Sequence, residues 1–384
     1  MHNFLQKIKD FSVFELRPEP IAISFNDSSL RFLTLQKKTS WILPENYWRE
    51  ALPKNTVLQG EIKDMKVFVD CLKNGLRKIG IRDNKTVYAV VVLPENITFL
   101  EPLTLPKMSE EEIDASLATL VEQNIPLSKE ETEADWQFIE SDKNDQQTNI
   151  LIAAAPKTGI EKILEAMHEA SIIPVALDLA PLSIVRALIN KVNEVEEKPR
   201  LIIHFNHDKT IFVLHNGKSI DLAMSSFNGI YFIQKKIAAE LHMDPSTRSG
   251  QDPLTTFDLM NSEKFFNDSI KEKEKMALEN SLSDIIDQIN KFKSFEHPLF
   301  EKSDIKKRYA CQEIVLSGYW ASLPIVSSII SQKTDLPVII GNPWRQNGEL
   351  NIIPKMNLAE SLQFCATIGG AIYARHWFST PLLK

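Results

Sequence analysis

Two segments of this chain, about half its length apart, are near copies of each other. The first runs Ile21-Ala22-Ile23-Ser24-Phe25-Asn26-Asp27-Ser28-Ser29-Leu30-Arg31-Phe32-Leu33. The second runs Leu201-Ile202-Ile203-His204-Phe205-Asn206-His207-Asp208-Lys209-Thr210-Ile211-Phe212-Val213. Each is an apolar run ending in Phe-Asn, a short polar turn and a second apolar run, which is a β-hairpin signal. Two such hairpins at long separation point to a duplicated architecture.

Further apolar strands are expected at Val87–Leu93, Asn149–Ala155, Glu313–Ser317 and Val338–Ile340. Several are near-continuous Val/Ile/Leu runs, the pattern of strands buried on both faces. Helical periodicity lies between them. Val67, Val69, Leu72, Leu76 and Ile79 mark a helix over 63–78, and Leu182, Val185, Leu188, Ile189 and Val192 mark another. Ser109 and Glu112 have capping-box spacing, and Ile113, Leu117, Leu120 and Val121 then follow at helical spacing. That helix must end near Asn124, because Pro126 disfavours helix at the residue before it. Ile160, Ile163, Leu164 and Met167 mark a further amphipathic helix. Leu282, Ile285, Ile286, Ile289 and Phe292 mark a long one after a Pro/Ser/Gly/Asp-rich loop over 244–256, with a charged, solvated stretch between. The class is α/β, with helices covering sheets.

A chain of 384 residues buries a large core and divides into two or more domains. Its net charge of −7 argues against nucleic acid as a partner, since phosphate binding needs a basic surface. Only 12 glycines are present, few for a protein that cradles phosphate on Gly-rich loops. Cys71, Cys311 and Cys365 are far apart and unpatterned, which suits buried thiols in a reducing compartment. With no secretory signal and no membrane-length apolar run, a cytoplasmic location is expected. Phe4, Leu5, Ile8 and Phe11 are spaced for a short helix docked on its own domain, in preference to a membrane-surface contact.

With these elements in order, the sequence resembles the PilM family of type IV pilus assembly proteins, which are actin-like and related to the division protein FtsA. Its opening Asp-x-Gly-Ser-Ser-like turn matches Ser24-Phe25-Asn26-Asp27-Ser28-Ser29-Leu30-Arg31, and its second Asp-x-Gly turn matches His204-Phe205-Asn206-His207-Asp208-Lys209-Thr210. The late Leu-Ser-Gly-Gly motif matches Leu316-Ser317-Gly318-Tyr319-Trp320-Ala321-Ser322-Leu323-Pro324. Glu122-Gln123-Asn124-Ile125-Pro126-Leu127, Asp135-Trp136-Gln137, Ala153-Ala154-Ala155-Pro156-Lys157 and Pro174-Val175-Ala176-Leu177-Asp178 resemble stretches of the family's inserted subdomain and its surroundings.

The resemblance implies a two-lobed actin-like fold with a duplicated core. The expected divisions are a first core subdomain over 1–85 and 175–198, an inserted subdomain over 86–174, a second core over 199–240 and 310–384, and an accessory subdomain over 241–309. It also implies a nucleotide clamp between the two turns. There, each Gly lets backbone N–H groups approach phosphate, and each Asp organises Mg²⁺ through water. Here the two Asp positions hold Ser24 and His204, and the two Gly positions hold Asn26 and Asn206, residues that tolerate left-handed backbone. Tyr319 stands where the adenosine motif has its second Gly, with Trp320 next, and two bulky rings are expected to fill the base or ribose pocket. What remains of the site is Asn26, Asp27, Ser28, Ser29, Arg31, Asn206, Thr210 and Gly318. Neither ATP nor Mg²⁺ is therefore an expected cofactor, and hydrolysis is not expected, since phosphoryl transfer depends on positioning and metal charge neutralisation.

By the same resemblance the chain is a cytoplasmic scaffold of a type IV pilus machine, peripheral to the inner membrane through its partners and open to homo-oligomer formation. Its implied partners are other pilus components and the N-terminal peptide of a PilN-like inner-membrane protein, held in a groove between the first core and the insert. By position, that groove is expected along Ile97–Leu105 and the helix Ile113–Val121, at Leu100, Leu103, Ile113, Leu117 and Leu120. The alternatives are an actin-like ATPase with altered ligands and a relative of a type II secretion cytoplasmic domain. His204, His207 and Asp208 read as a turn with solvent-facing histidines, since a zinc site needs three or four converging ligands. Arg31 and Asp27 read as a local surface pair, and Tyr373, His376, Trp377 and Phe378 as a helix end packed on the body.

Overall fold

The computed structural model describes residues 20–36, 43–82, 85–139, 147–189, 198–242, 272–294, 311–344 and 355–379. The helix expected at the N-terminus, the loop over 244–256 and the side chains of His376, Trp377 and Phe378 lie outside them.

The duplication is explicit in the two large sheets. In the first, strand β1 (Ile21–Phe25) pairs antiparallel with β2 (Ser29–Leu35), which pairs with β3 (Pro44–Ala51). On its other side β1 runs parallel to β6 (Val87–Leu93), and β6 runs parallel to the edge strand β10 (Ile172–Leu179). The second sheet repeats this order. Strand β11 (Arg200–Phe205) pairs antiparallel with β12 (Thr210–His215) and β12 with β13 (Ile220–Ser226). Parallel to β11 lies β14 (Glu313–Gly318), followed by β15 (Val338–Ile340). Every residue of β1, β11, β12 and β14 is buried, as the unbroken apolar runs require. A short hairpin of β4 (Val57–Leu58) and β5 (Glu61–Ile62) lies beside the first sheet.

Helix α1 (Met65–Lys78) covers the first sheet. Asp64 caps it by accepting from Val67 N–H, Arg77 and Lys78 sit at its negative end, and Phe68, Leu72 and Leu76 enter the core. The insert is a three-stranded antiparallel sheet in the order β7 (Phe99–Pro106), β9 (Gln147–Pro156), β8 (Thr132–Phe138), crossed by α2 (Glu110–Asn124). The capping box of Ser109 and Glu112 forms as expected, and the chain leaves the helix at Ile125.

The structure moves four expected boundaries. Strand β6, assigned from sequence to the insert, lies at the centre of the first sheet beside β1. Helix α3 (Lys157–Glu169) packs Ile160, Ile163 and Met167 into the first lobe's core, not into the insert. The last helix, α9 (Cys365–Ser379), assigned to lobe two, crosses to lobe one. Its Gly369 and Gly370 permit this approach: an added Cβ would stand 1.8 Å from Ser183 O and 2.6 Å from Val92 Cγ2.

Helix α6 (Glu272–Lys293), expected in an accessory subdomain, buries Leu278, Leu282, Ile285, Ile289 and Phe292 in the main core of lobe two beside α5 (Ile230–Glu240). Helix α7 (Pro324–Thr334) starts with Pro at its first position. That core runs on without interruption into lobe one through Ala22, Leu33 and α4 (Ala180–Leu188), and through α8 (Leu358–Gln363). Part of the interlobe boundary is therefore a continuous apolar core.

Candidate functional site

The two hairpin turns face each other across the boundary and bond directly. Asn26 Nδ2 donates to Asn206 Oδ1 at 2.7 Å. The oxygen of the same Asn26 amide turns back into its own loop. It accepts from Ser28 N–H at 3.0 Å and Ser29 N–H at 2.8 Å, and from both serine hydroxyls at 3.0 and 3.2 Å. Asn206 Oδ1 likewise accepts from His207 N–H at 3.1 Å. Neither Asn26 nor Asn206 has a left-handed φ, so tolerance of that conformation is not what asparagine supplies here. It supplies an acceptor, placed where an anion would otherwise meet the turn's N–H groups.

The positions one strand-step behind the turns are closed off as well. Ser24 Oγ lies 2.7 Å from Thr367 Oγ1 on α9, with both residues buried. His204 Nδ1 lies 2.8 Å from Ser317 Oγ on β14. Burial, reinforced by the nearby Arg31 cation, pushes His204 down to about 3, so the ring is neutral. This corrects the reading of His204 as solvent-facing: it is 4% exposed.

Arg31 is not a surface partner of Asp27. Its guanidinium donates to Tyr319 Oη at 3.1 Å, lies over the rings of Tyr319 and Phe364, and leaves Nε without a partner. Burial pulls its pKa below the ordinary arginine value. Asp27 instead accepts from Gln59 N–H and Gly60 N–H, fixing the β4–β5 turn, and burial raises its carboxyl. Thr210 Oγ1 donates to Asn228 O. Gly318 is left-handed, and a Cβ there would stand 2.1 Å from Phe205 O, so the motif's first Gly is sterically required. Tyr319 and Trp320 are both buried, and Trp320 holds a left-handed φ of 60° with its indole N–H unpartnered.

The sequence-derived clamp residues are thus brought together, but Asn26, Ser28, Ser29 and Asn206 bond one another, and Asp27, Arg31 and Thr210 bond neighbouring elements. A magnesium nucleotide needs outward N–H groups and carboxylates at this point. Ser24, His204 and the N–H groups capped by Asn26 and Asn206 do not supply them. On the far side of the turns a cavity of about 210 Å³ lies between the lobes, lined in part by Glu95, Lys209 and Ser225. Burial raises Glu95 there to about 6.

The larger cavity, about 380 Å³, lies elsewhere. It separates the insert from lobe one. Leu151 and Ala153 of β9, Ile160 and Leu164 of α3, Val175 and Leu177 of β10, Leu182 of α4 and Tyr373 of α9 form its apolar lining. Glu133, Asp135, Lys157, Glu161, Asp178 and Arg186 add charge. Both β8 and β10 are edge strands of their sheets among the described residues, so the groove is bounded by two strand edges. Arg186 pairs with Asp178 at 2.5 Å, donates to Gly369 O at 3.2 Å and lies over the Tyr373 ring. Ser183 Oγ also donates to Asp178.

None of the five residues expected to line a groove lines this one. Ile113 is fully buried in the insert's own core, with Leu103, Leu117 and Leu120 packed against that core, and Leu100 lines the smaller interlobe cavity. The walls of this cavity, β8 and β10, carry one signal in the sequence, the Asp-Trp-Gln and Pro-Val-Ala-Leu-Asp stretches.

The fold matches those of solved structures at low identity. A structure of the PilM–PilN type IV pilus biogenesis complex aligns with a TM-score of 0.74 at 18% identity, covering 93% of this chain and 99% of that one. The ethanolamine utilization protein EutJ from Carboxydothermus hydrogenoformans aligns at 0.51 and 10% identity, covering 97% of each chain. MreB 5 of Spiroplasma citri bound to AMPPNP aligns at 0.50 and 13%, covering 94% of this chain and 98% of that one. The architecture is therefore actin-like. A family model described as type IV pilus assembly protein PilM matches residues 22–244, more than half of the chain. With its paired hairpins, insert and ordered motifs, this chain belongs to the PilM family of type IV pilus assembly proteins.

Proposed function

We propose that the chain is a scaffold of a type IV pilus machine that holds the N-terminal cytoplasmic peptide of a PilN-like inner-membrane protein, and that it does so without hydrolysing ATP. The observation that carries this reading is the groove between the insert and lobe one. Its apolar lining suits alternate side chains of an extended peptide, and its two strand edges offer backbone hydrogen bonds of the β-addition kind. The similarity to a PilM–PilN complex over almost the whole chain supports the choice of partner. No helix among the described residues is long and apolar enough to cross a membrane, so attachment through such a partner is the role assigned to the groove.

Absence of hydrolysis is supported by the clamp, where Ser24 and His204 offer no carboxylate for a metal. Fluorescence anisotropy with a labelled synthetic peptide of the partner's N-terminal segment tests the groove. Val175→Asp or Leu177→Asp should abolish binding. Glu110→Lys with Glu111→Lys, on the exposed first turn of α2, should leave it unchanged. The opposite pattern would place the peptide on α2 and overturn the assignment.

A further inference from the structure

We propose that the decayed clamp has become a latch made of side chains, closing the lobes without any ligand, and that helix α9 couples this latch to the groove. The coupling half rests on the groove reading above.

The latch has three contacts. Two cross the lobes: the Asn26–Asn206 bond joins the turns, and Arg31 of lobe one donates to Tyr319 Oη of lobe two; the third lies within lobe one, where Thr367 of α9 holds Ser24 two residues behind Asn26 on β1. In an actin-like protein a ligand between the lobes would stabilise the closed form by binding it better than the open one. Here the N–H groups of Ser28, Ser29 and His207 are satisfied from within their own turns, and the cross-lobe bond is made by residues at equivalent positions of the duplicated units. Closure then needs no mass action.

Helix α9 touches both sites. Its first turn carries Cys365 and Thr367 beside the latch, and two turns later Tyr373 lines the groove. At 1.5 Å per residue these ends are about 9 Å apart on one rigid rod. The rod cannot slide alone: Gly369 and Gly370 lie against α4 and the first sheet with no room for a methyl group. Arg186, in the groove, holds the Gly369 carbonyl of the same helix. A peptide that fixes Tyr373 and Arg186 therefore favours the α9 position in which Thr367 meets Ser24, and the reverse follows by linkage.

The test compares the full-length wild type with Asn26→Ala/Asn206→Ala. Amide exchange at Ser28 and Ser29 and anisotropy with a fluorescein-labelled N-terminal peptide of the same organism's PilN-like protein are both read. The latch predicts faster exchange in the double variant and a loss of peptide affinity of about ten-fold, within the usual range of coupling between sites. Wild-type peptide binding should in turn slow exchange at Ser28 and Ser29. Affinity within two-fold of wild type, with exchange accelerated, would overturn the coupling. Unchanged exchange would overturn the latch itself. If the wild type bound no peptide, the groove reading would fail, while exchange would still decide the latch. Should the double variant not fold, Asn26→Asp serves in its place: it keeps an oxygen that caps Ser28 and Ser29 and sets a carboxylate oxygen, in place of the donor, against Asn206 Oδ1, and the prediction is then reduced affinity with those two amides still protected.

Discussion

Replacing Asn26 by Ala should destabilise the chain by roughly 3 kcal/mol, a large effect for a residue outside the apolar core. The side chain is 6% exposed and makes one interlobe bond and four bonds within its own turn. The interlobe bond is worth about 1 kcal/mol. The two serine hydroxyls can rotate to other acceptors, but the N–H groups of Ser28 and Ser29 are fixed by the backbone. A fully buried N–H left unpaired costs about 1–3 kcal/mol, and in this partly buried turn the lower value for both gives the total. Urea denaturation of Asn26→Ala, Asn206→Ala and the double variant forms a thermodynamic cycle. The account predicts a coupling energy of about 1 kcal/mol between the two positions. Costs that add within about 0.3–0.5 kcal/mol would show that the bond does not tie the lobes together and would refute the reasoning.

Three other outcomes follow from the same geometry. His204, held at about 3 by burial against an ordinary 6.5, stays neutral while the unfolded chain takes up a proton, so its contribution to stability is intact above pH 6.5 and is lost as pH falls toward 3. At pH 5 the loss is about 2 kcal/mol. Denaturation midpoints of His204→Gln should therefore fall less between pH 7.5 and 5 than those of wild type. Arg31→Met should be neutral or stabilising by up to about 2 kcal/mol, because it removes a buried cation that has no carboxylate partner. Tyr319→Phe, by contrast, should cost about 1–3 kcal/mol by taking away an acceptor of that cation, and thermal unfolding of the pair separates the cases. Gly369→Ala should destabilise by about 1–3 kcal/mol, as overpacking does, and should loosen α9 in hydrogen exchange, since its methyl group would meet Ser183 O.

Much of this fold could be read from the chain because its central strands are unbroken apolar runs. The hairpins at Ile21–Leu33 and Leu201–Val213 declared themselves, and their repetition carried the two-sheet architecture. Edge strands were harder. Strand β3, Pro44-Glu45-Asn46-Tyr47-Trp48-Arg49-Glu50-Ala51, is largely exposed and carries no apolar alternation. Strand β10 is interrupted at Pro174, where its register with β6 shifts, and β8 is short of apolar residues. Those last two bound the cavity between the insert and lobe one, whose walls the sequence announces far less clearly than it does the periodic helix α2.

At the clamp, the residues were legible and their bonds were not. Asn26 and Asn206 occupy equivalent positions in two copies of one unit, and facing turns of a duplicated fold bring equivalent positions together. An identical polar residue at both was a usable signal for a direct contact. The left-handed backbone inferred for them came from family pattern alone, and the side chains explain their presence without it. His204 and Arg31 were read as exposed because hairpin turns usually are, whereas here a second lobe and two helices close over them.

The account's central claim is that side chains have replaced the ligand between the lobes. Calorimetric titration of the nucleotide-free protein with Mg²⁺ and ATP tests it most directly. No binding heat at ~1 mM ATP, and unchanged exchange at Ser28 and Ser29, is the predicted result. Saturable binding in the micromolar range that requires Asn26 to leave Asn206 would contradict it.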